Sequence, residues 1–247
     1  MLKKLLIICS LMFMVSGCSF SKNELVEEVK QLEEKNKELS EENNSHKSVE
    51  KLFNFYNKLS TETAHAFVLI ESKHTYTLDA TYADGVVIGG SGYYYYILAD
   101  YNQLWVSQNI RYRIMNANAE VYNAELVSYN GKVYDEETGL VLLRARITTS
   151  IKNMSSIGMG DVSDIVATVS NTEQLNKIQL ITSDSLDEYF YNYDNEEYSI
   201  YRISGDIKGP LVNMDNKLCG IYLSNLSGYA SAELIKKVAY ATYSLIL

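Results

Sequence analysis

The chain has 247 residues, with 22 Lys+Arg against 31 Asp+Glu, a formal net charge of −9 and a pI near 4.9. That acidic balance excludes a nucleic-acid binder, whose footprint would be basic. Three Cys and three His exclude a disulfide scaffold and leave little for a Cys/His metal site, and one Pro excludes Pro-rich disorder. Twenty-one Tyr, with abundant Val, Ile and Thr, favour β structure.

Lys3 and Lys4 precede an apolar run over 5–15, the pattern of a secretory signal. The run is short of the roughly 20 apolar residues that a permanent membrane helix needs. It ends in Val15-Ser16-Gly17-Cys18, and two small residues followed directly by Cys resemble the lipobox of bacterial lipoproteins. The resemblance implies a signal peptide over 1–17, diacylation of the Cys18 thiol, and a mature chain that begins at Cys18. The protein would then sit on the extracytoplasmic side of a cell membrane, held by two acyl chains, which anchor stably where one does not. The alternative is an ordinary secretory signal with Cys18 incidental. Loss of residues 1–17 removes Cys9, so Cys219 is the one thiol left beyond Cys18, and no disulfide joins two side chains of the domain.

Residues 22–48 are dense in Glu, Lys and Asn and contain neither Gly nor Pro. Leu25, Val29, Leu32, Asn36, Leu39 and Asn43 fall on alternating d and a positions of a heptad repeat, where an Asn at a costs stability but fixes register. Two readings stay open: a stalk that makes a homodimer through a coiled coil, and a single solvated helix acting as a spacer. Leu52, Phe53, Phe55, Tyr56 and Leu59 are expected to pack on the domain that follows. The lipidated N-terminus and stalk are assigned to 18–60 and the globular domain to 61–247.

From about residue 62 the pattern changes to short β-rich runs separated by Gly, Asn and Asp. Strands are expected over 66–70, 85–88, 93–98, 104–106, 112–115, 120–127, 139–146, 164–169, 177–181, 198–203 and 217–223. So many short strands indicate a sandwich or a pair of barrels. The end differs: Leu234, Val238, Ala241 and Leu245 recur at helical spacing after Ser231, a plausible cap.

Three segments carry a further resemblance. Gly90-Ser91-Gly92, then 96–104 with Asn102, resembles the part of trypsin-like serine peptidases that reads G-S-G, strand, T-A/N-x-H-V. The run 135–144, with Gly139, resembles their D-x-x-x-D-L-A-L-L-K strand, and 204–213, with Ile207, resembles G-N/D-S-G-G-P-L-V. The flanking segments 116–127 and 215–221 resemble the same family, and the chain's sole proline, Pro210, falls in the G-P-L-V segment. The resemblance spans about 62–240 and is nearest to the bacterial heat-shock peptidase branch without its appended peptide-binding domain. It implies a chymotrypsin-like double antiparallel β-barrel with a C-terminal helix, preceded by the helical stalk.

By that resemblance the general base, its orienting acid and the nucleophile would stand at Asn102, Gly139 and Ile207. None of the three can do the work. An amide is no proton acceptor, glycine has no side chain, and isoleucine offers only hydrocarbon where acyl transfer needs an oxygen or sulfur. Gly205 would lie at an oxyanion-like hollow, with Lys208 replacing a glycine beside it.

Substitute catalysts are few. His46 lies in the stalk, and His65 and His74 precede the base position. Ser199 or Ser204 with Lys208 would make a Ser-Lys pair, since a desolvated Lys can act as base. Cys219 lies in an apolar strand, where a buried inert thiol is the expectation. Asp100 and Asp135 flank two of the positions, and either would suit a displaced orienting acid, but neither supplies a base. Tyr93–Tyr96 and the alternating Tyr189, Tyr191 and Tyr193 suit either a recognition surface or barrel packing. Asp184, Asp187, Asp194, Glu196 and Glu197 suit either a basic partner or a solvated loop. No cofactor, phosphate-loop or metal-ligand pattern is present.

The sequence therefore points to a surface lipoprotein with a catalytically inactive peptidase-like domain that binds an unidentified protein or peptide. The alternative is an active serine-type endopeptidase with a relocated catalytic set.

Overall fold

The computed structural model describes residues 22–77, 79–91, 93–107, 109–146, 154–171, 177–205 and 207–245. Cys18 and the expected signal lie outside the described residues, as do Gly92 and Asp206 of the peptidase-like segments. The chain divides into two compact units, Met1–Lys51 and Leu52–Leu247.

In the first unit the described residues belong to helix α1, Lys22–Thr61, which crosses into the second. Val29, Leu32 and Leu39 of the heptad stripe are 48%, 56% and 54% exposed. Nothing in a single chain covers them among the described residues. No helix of the described residues is long and apolar enough to cross a membrane.

In the second unit, the last turns of α1 bury Phe55 and Leu59 in the main apolar cluster. The neighbouring Phe53 and Tyr56 are exposed, so only part of the expected aromatic set packs on the domain. Thirteen strands follow among the described residues: β1 Phe67–His74, β2 Ala80–Ser91, β3 Tyr94–Asp100, β4 Ile110–Met115, β5 Val121–Leu126, β6 Leu140–Arg146, β7 Ile165–Ser170, β8 Lys177–Thr182, β9 Leu186–Tyr193, β10 Glu196–Ile203, β11 Leu211–Asn213, β12 Leu218–Leu223 and β13 Gly228–Ser231. Helix α2, Ala232–Tyr243, closes the fold.

The first six strands form a closed barrel in the order β1-β2-β3-β6-β5-β4. Its interior holds Val68, Ile70, Val87, Ile97, Ala99, Ile114, Val141, Leu143 and Ala145. The opposite face of β1, β2, β3 and β6 carries Phe67, Val86, Leu98, Leu140 and Leu142 into the main cluster with Leu218, Ile221, Leu234 and Val238. Where both faces of these strands are buried the sequence reads as an apolar run, as at 67–70, 86–88, 97–99 and 140–143. β5 has one wet face and alternates.

The remaining strands form a seven-stranded sheet in the order β8-β7-β11-β12-β13-β10-β9. Its end strands β8 and β9 are consecutive in the chain, joined by the one-turn 3-10 segment Ser183–Ser185. A flat sheet of that order would separate them by about 29 Å at roughly 4.8 Å per strand. The connection spans at most about 14 Å at roughly 3.5 Å per residue. The sheet must therefore curl strongly, although no ladder joins β8 to β9 among the described residues. The structure thus shows a barrel and a second antiparallel sheet.

Some expected elements differ. Residues 104–106 are not a strand: Leu104 is buried under the first barrel, and the Trp105 carbonyl accepts from the Tyr112 hydroxyl at 2.8 Å. In α2 the buried stripe is Leu234, Ile235, Val238, Ala239, Thr242 and Tyr243, while Ala241 is exposed and Leu245 lies beyond the helix. Ser231 is the expected cap, its hydroxyl accepting from the Leu234 N–H at 3.3 Å.

Three buried carboxylates tie the barrel to the rest of this unit. Asp84 on β2 accepts from the Ser170 hydroxyl at 3.0 Å and the Asn171 N–H at 2.5 Å, after β7. Asp135 accepts from the Thr138 N–H and hydroxyl, each at 2.8 Å, from the Tyr193 hydroxyl at 2.9 Å and from the Thr242 hydroxyl at 3.3 Å. Asp100, 2% exposed at the end of β3, accepts from the N–H and side-chain amide of Asn102, the Gln103 amide, and the N–H and hydroxyl of Ser224 beyond β12. Removing a buried acceptor strands its donors away from water. Asp100→Ala should cost about 3 kcal/mol in urea unfolding, whereas Asp187→Ala on exposed β9 should change stability by less than about 0.5 kcal/mol.

Candidate functional site

Two of the three peptidase-like positions meet in space. Antiparallel pairing places Asp100 of β3 opposite Leu140 of β6, and the Tyr101 N–H donates to the Gly139 carbonyl at 2.8 Å. Asn102 sits in a one-turn 3-10 segment, Tyr101–Gln103, that Asp100 caps. Gly139 has φ +80°, and a Cβ there would stand 3.0 Å from the Asn102 amide nitrogen and 3.3 Å from the Asn225 side chain. An L side chain at Gly139 meets both a left-handed backbone and occupied space.

The group beside Asn102 is another amide. Asn102 Nδ2 donates to Asn225 Oδ1 at 3.0 Å and to Asp100 Oδ1 at 3.2 Å. Asn225 Nδ2 in turn donates to the Glu136 and Glu137 carbonyls at 3.1 and 3.3 Å. Neither amide can take up a proton near neutral pH, so the pair can hold a hydrogen-bonding group in place but cannot activate a nucleophile. Asn225 was not singled out by sequence, because nothing local connects it to a residue 123 positions away.

Ile207 lies with a different set of residues. It packs half-buried against the cluster of Val166, Ile181, Leu211, Cys219 and Tyr229, and its carbonyl accepts from the Tyr229 hydroxyl at 2.7 Å. Gly205, two residues earlier, has φ +114° and only Ile207 near its Cβ direction. The path of this loop is fixed by Gly209, where a Cβ would stand 2.4 Å from the Val169 carbonyl oxygen. That contact is backbone and cannot yield, which requires glycine immediately before Pro210.

The substitute catalysts are dispersed. His65 is half-buried in the segment Thr63–Ala66 with its Nδ1 unpartnered among the described residues. His74 accepts from the Tyr76 N–H at 3.3 Å and lines a cleft with Leu104, Trp105 and Ile110. Ser199 donates to Glu188 at 2.6 Å, Ser204 is exposed, and Lys208 lies over the Tyr222 ring at 5.9 Å. Asp100 and Asp135, the two acids noted beside the peptidase-like positions, serve as buried acceptors for the cross-links described above. Among the described residues, no group of three or more His, Cys, Asp or Glu is placed to hold a metal ion.

The tyrosine trio does share one face of a strand, β9. Tyr193 is buried on Asp135, the Tyr191 hydroxyl donates to Glu137 at 2.9 Å, and Tyr189 is exposed. Burial, with Glu137 and Asp135 beside it, pushes the Tyr191 phenol up to about 12. This face thus braces the 135–139 turn that carries Gly139. Within 93–96, Tyr93 is exposed, Tyr94 lies under the Arg144 guanidinium at 5.2 Å, and Tyr95 and Tyr96 pack on the two apolar clusters.

Cys219 is 1% exposed on β12, and burial pushes its thiol from 9.0 up to about 12. A thiol held protonated at neutral pH is a poor nucleophile. The unfolded thiol loses its proton near its ordinary value while the folded one keeps it, so the folded state is favoured below about pH 9 and loses this contribution as pH rises toward 12. Urea midpoints should fall over that window, less steeply in Cys219→Ala, and iodoacetamide at pH 8 should label Cys219 only after unfolding. Compared with known proteins, the chain matches no family model and no curated sequence.

Proposed function

We propose that the chain is a lipid-anchored, extracytoplasmic lipoprotein whose β domain is a catalytically inactive relative of trypsin-like serine peptidases, acting as a protein- or peptide-binding or scaffolding module. One observation carries this reading: the base and orienting positions named by the resemblance, Asn102 and Gly139, are neighbours, yet are filled by an amide and by nothing. The pair comes together through the barrel's β3–β6 ladder, and the curled second sheet is read as an open counterpart of the family's second barrel. Ile207 supplies hydrocarbon where acyl transfer would need a hydroxyl. The groove of such a domain is then available for recognition without turnover.

The lipid anchor rests on the lipobox-like Val15-Ser16-Gly17-Cys18 and the apolar run before it. α1 serves as the tether, and the exposed Val29, Leu32 and Leu39 support a second copy of the chain as its packing partner.

A fluorophosphonate probe should leave the purified full-length protein unlabelled and casein uncleaved, while labelling of any Ser overturns the assignment in favour of the relocated-set endopeptidase. Cys18→Ala should move the expressed protein from the membrane fraction to the soluble one and abolish incorporation of a clickable palmitate analogue. Unchanged fractionation and labelling would defeat the anchor.

A further inference from the structure

Helix α1 runs from Lys22 to Thr61, and between 22 and 48 it holds five aliphatic residues. Four of them, Leu25, Val29, Leu32 and Leu39, fall on a or d of one heptad frame, and Val26 flanks them at e. Steps that alternate between three and four residues are those of a seam between two supercoiled helices. In a single chain Val29, Leu32 and Leu39 are about half exposed.

The residues that α1 buries in the second unit belong to another face. Phe55 and Leu59, in the main apolar cluster, fall at f and c of the same frame, whereas Phe53 at d is 63% exposed. His46 and Glu50, at d and a, are polar, so the seam ends at Asn43.

The asparagines decide the arrangement. Asn36 and Asn43 stand at a, where an amide buried without a partner costs stability. Antiparallel helices set a against d. Over this stretch that places Asn36 and Asn43 against Leu39 and Leu32, or one heptad on, against Leu32 and Leu25. Parallel helices in register set each Asn against its own copy, where each amide both donates and accepts. A slip of one heptad sets one Asn36 against Val29 and one Asn43 against Glu50. Charges beside the seam are divided. In register, Glu42 at g meets Lys47 at e of the second copy, Lys35 meets Ser40, and Glu28 meets Glu33. The amides therefore select the register.

We propose that α1 pairs in parallel and in register with α1 of a second copy over residues 25–43, Asn36 and Asn43 each bonding across the seam to its own counterpart. This inference rests on the reading of a second copy as the packing partner of α1 and adds its direction and alignment. Parallel pairing puts both Cys18 residues at one end, as two chains anchored in one membrane require. An antiparallel pair over 22–43 would hold the two N-termini about 30 Å apart at roughly 1.5 Å per residue. A seam this short, interrupted by two amides, is weak in free solution. Confinement of both chains to one surface supplies the effective concentration that closes it. Both β units then follow from the other end, so one pair presents two binding domains together.

The test introduces Leu32→Cys and Leu39→Cys singly into the full-length protein, with Glu34→Cys at the outward f position as control. Expressing cells are oxidised with copper phenanthroline. Both d-position variants should give disulfide-linked dimers at least tenfold above Glu34→Cys and above wild type. Asn36→Lys in the Leu39→Cys background should cut that yield at least tenfold and leave the urea midpoint of the β unit unchanged. Cross-linking at one of the two positions alone would mean an antiparallel or slipped pair, and equal cross-linking of Glu34→Cys would mean chance collision. Either result overturns the inference. If no disulfide forms, a long lysine-reactive cross-linker applied to cells with the wild-type protein separates the two remaining cases. A cross-linked dimer overturns the register and keeps the second-copy reading, whereas monomer alone overturns both and leaves α1 as a spacer.

Discussion

The β unit depends on carboxylates taken out of water. Asp84, Asp100 and Asp135 are each less than a tenth exposed, and each accepts hydrogen bonds from a part of the chain distant in sequence. A buried carboxylate is tolerated only when its lone pairs are filled by well-placed donors. The geometry of those donors is therefore as fixed as the packing around them. Asp100 shows this best, because its two oxygens hold the Asn102 turn and the Ser224 turn at once. Asn225, next in the chain, is thereby delivered to Asn102.

The same arrangement limits the chemistry open to Asn102. The side-chain partners of Asn102 are the Asn225 amide and the Asp100 carboxylate, which also accepts from Gln103 and Ser224. Such a network specifies shape and supplies no proton transfer. Cys219, the single thiol among the described residues, is withdrawn into an apolar cluster and held protonated by burial.

The barrel was largely legible in sequence because β1, β2, β3 and β6 are buried on both faces over part of their length and spell themselves there as apolar runs. β9 lacked that signal: most of its residues are wet, so its composition resembles a loop. β11 is three residues long and β13 four, too short for any alternation to register. The helix at the end was expected, but its stripe was misplaced by the assumption that Ala241 faces inward, when Thr242 and Tyr243 occupy that position through hydrogen bonds. Asn102 and Gly139 were named by motif alone, and their adjacency follows from strand pairing. The roles of Asp100, Asp135 and Asn225 were out of reach, since the partners that define them come from segments about a hundred residues away.

The space over Gly139 has a consequence for substitution. Two side-chain amides fill it, and the backbone there has turned to a positive φ that a β-carbon resists. A single codon change that placed a side chain at this point would have nowhere to put it until Asn102 and Asn225 had both withdrawn and the turn had been rebuilt. Each contact is an ordinary hydrogen bond, yet together they make this glycine the residue that the turn can least readily exchange.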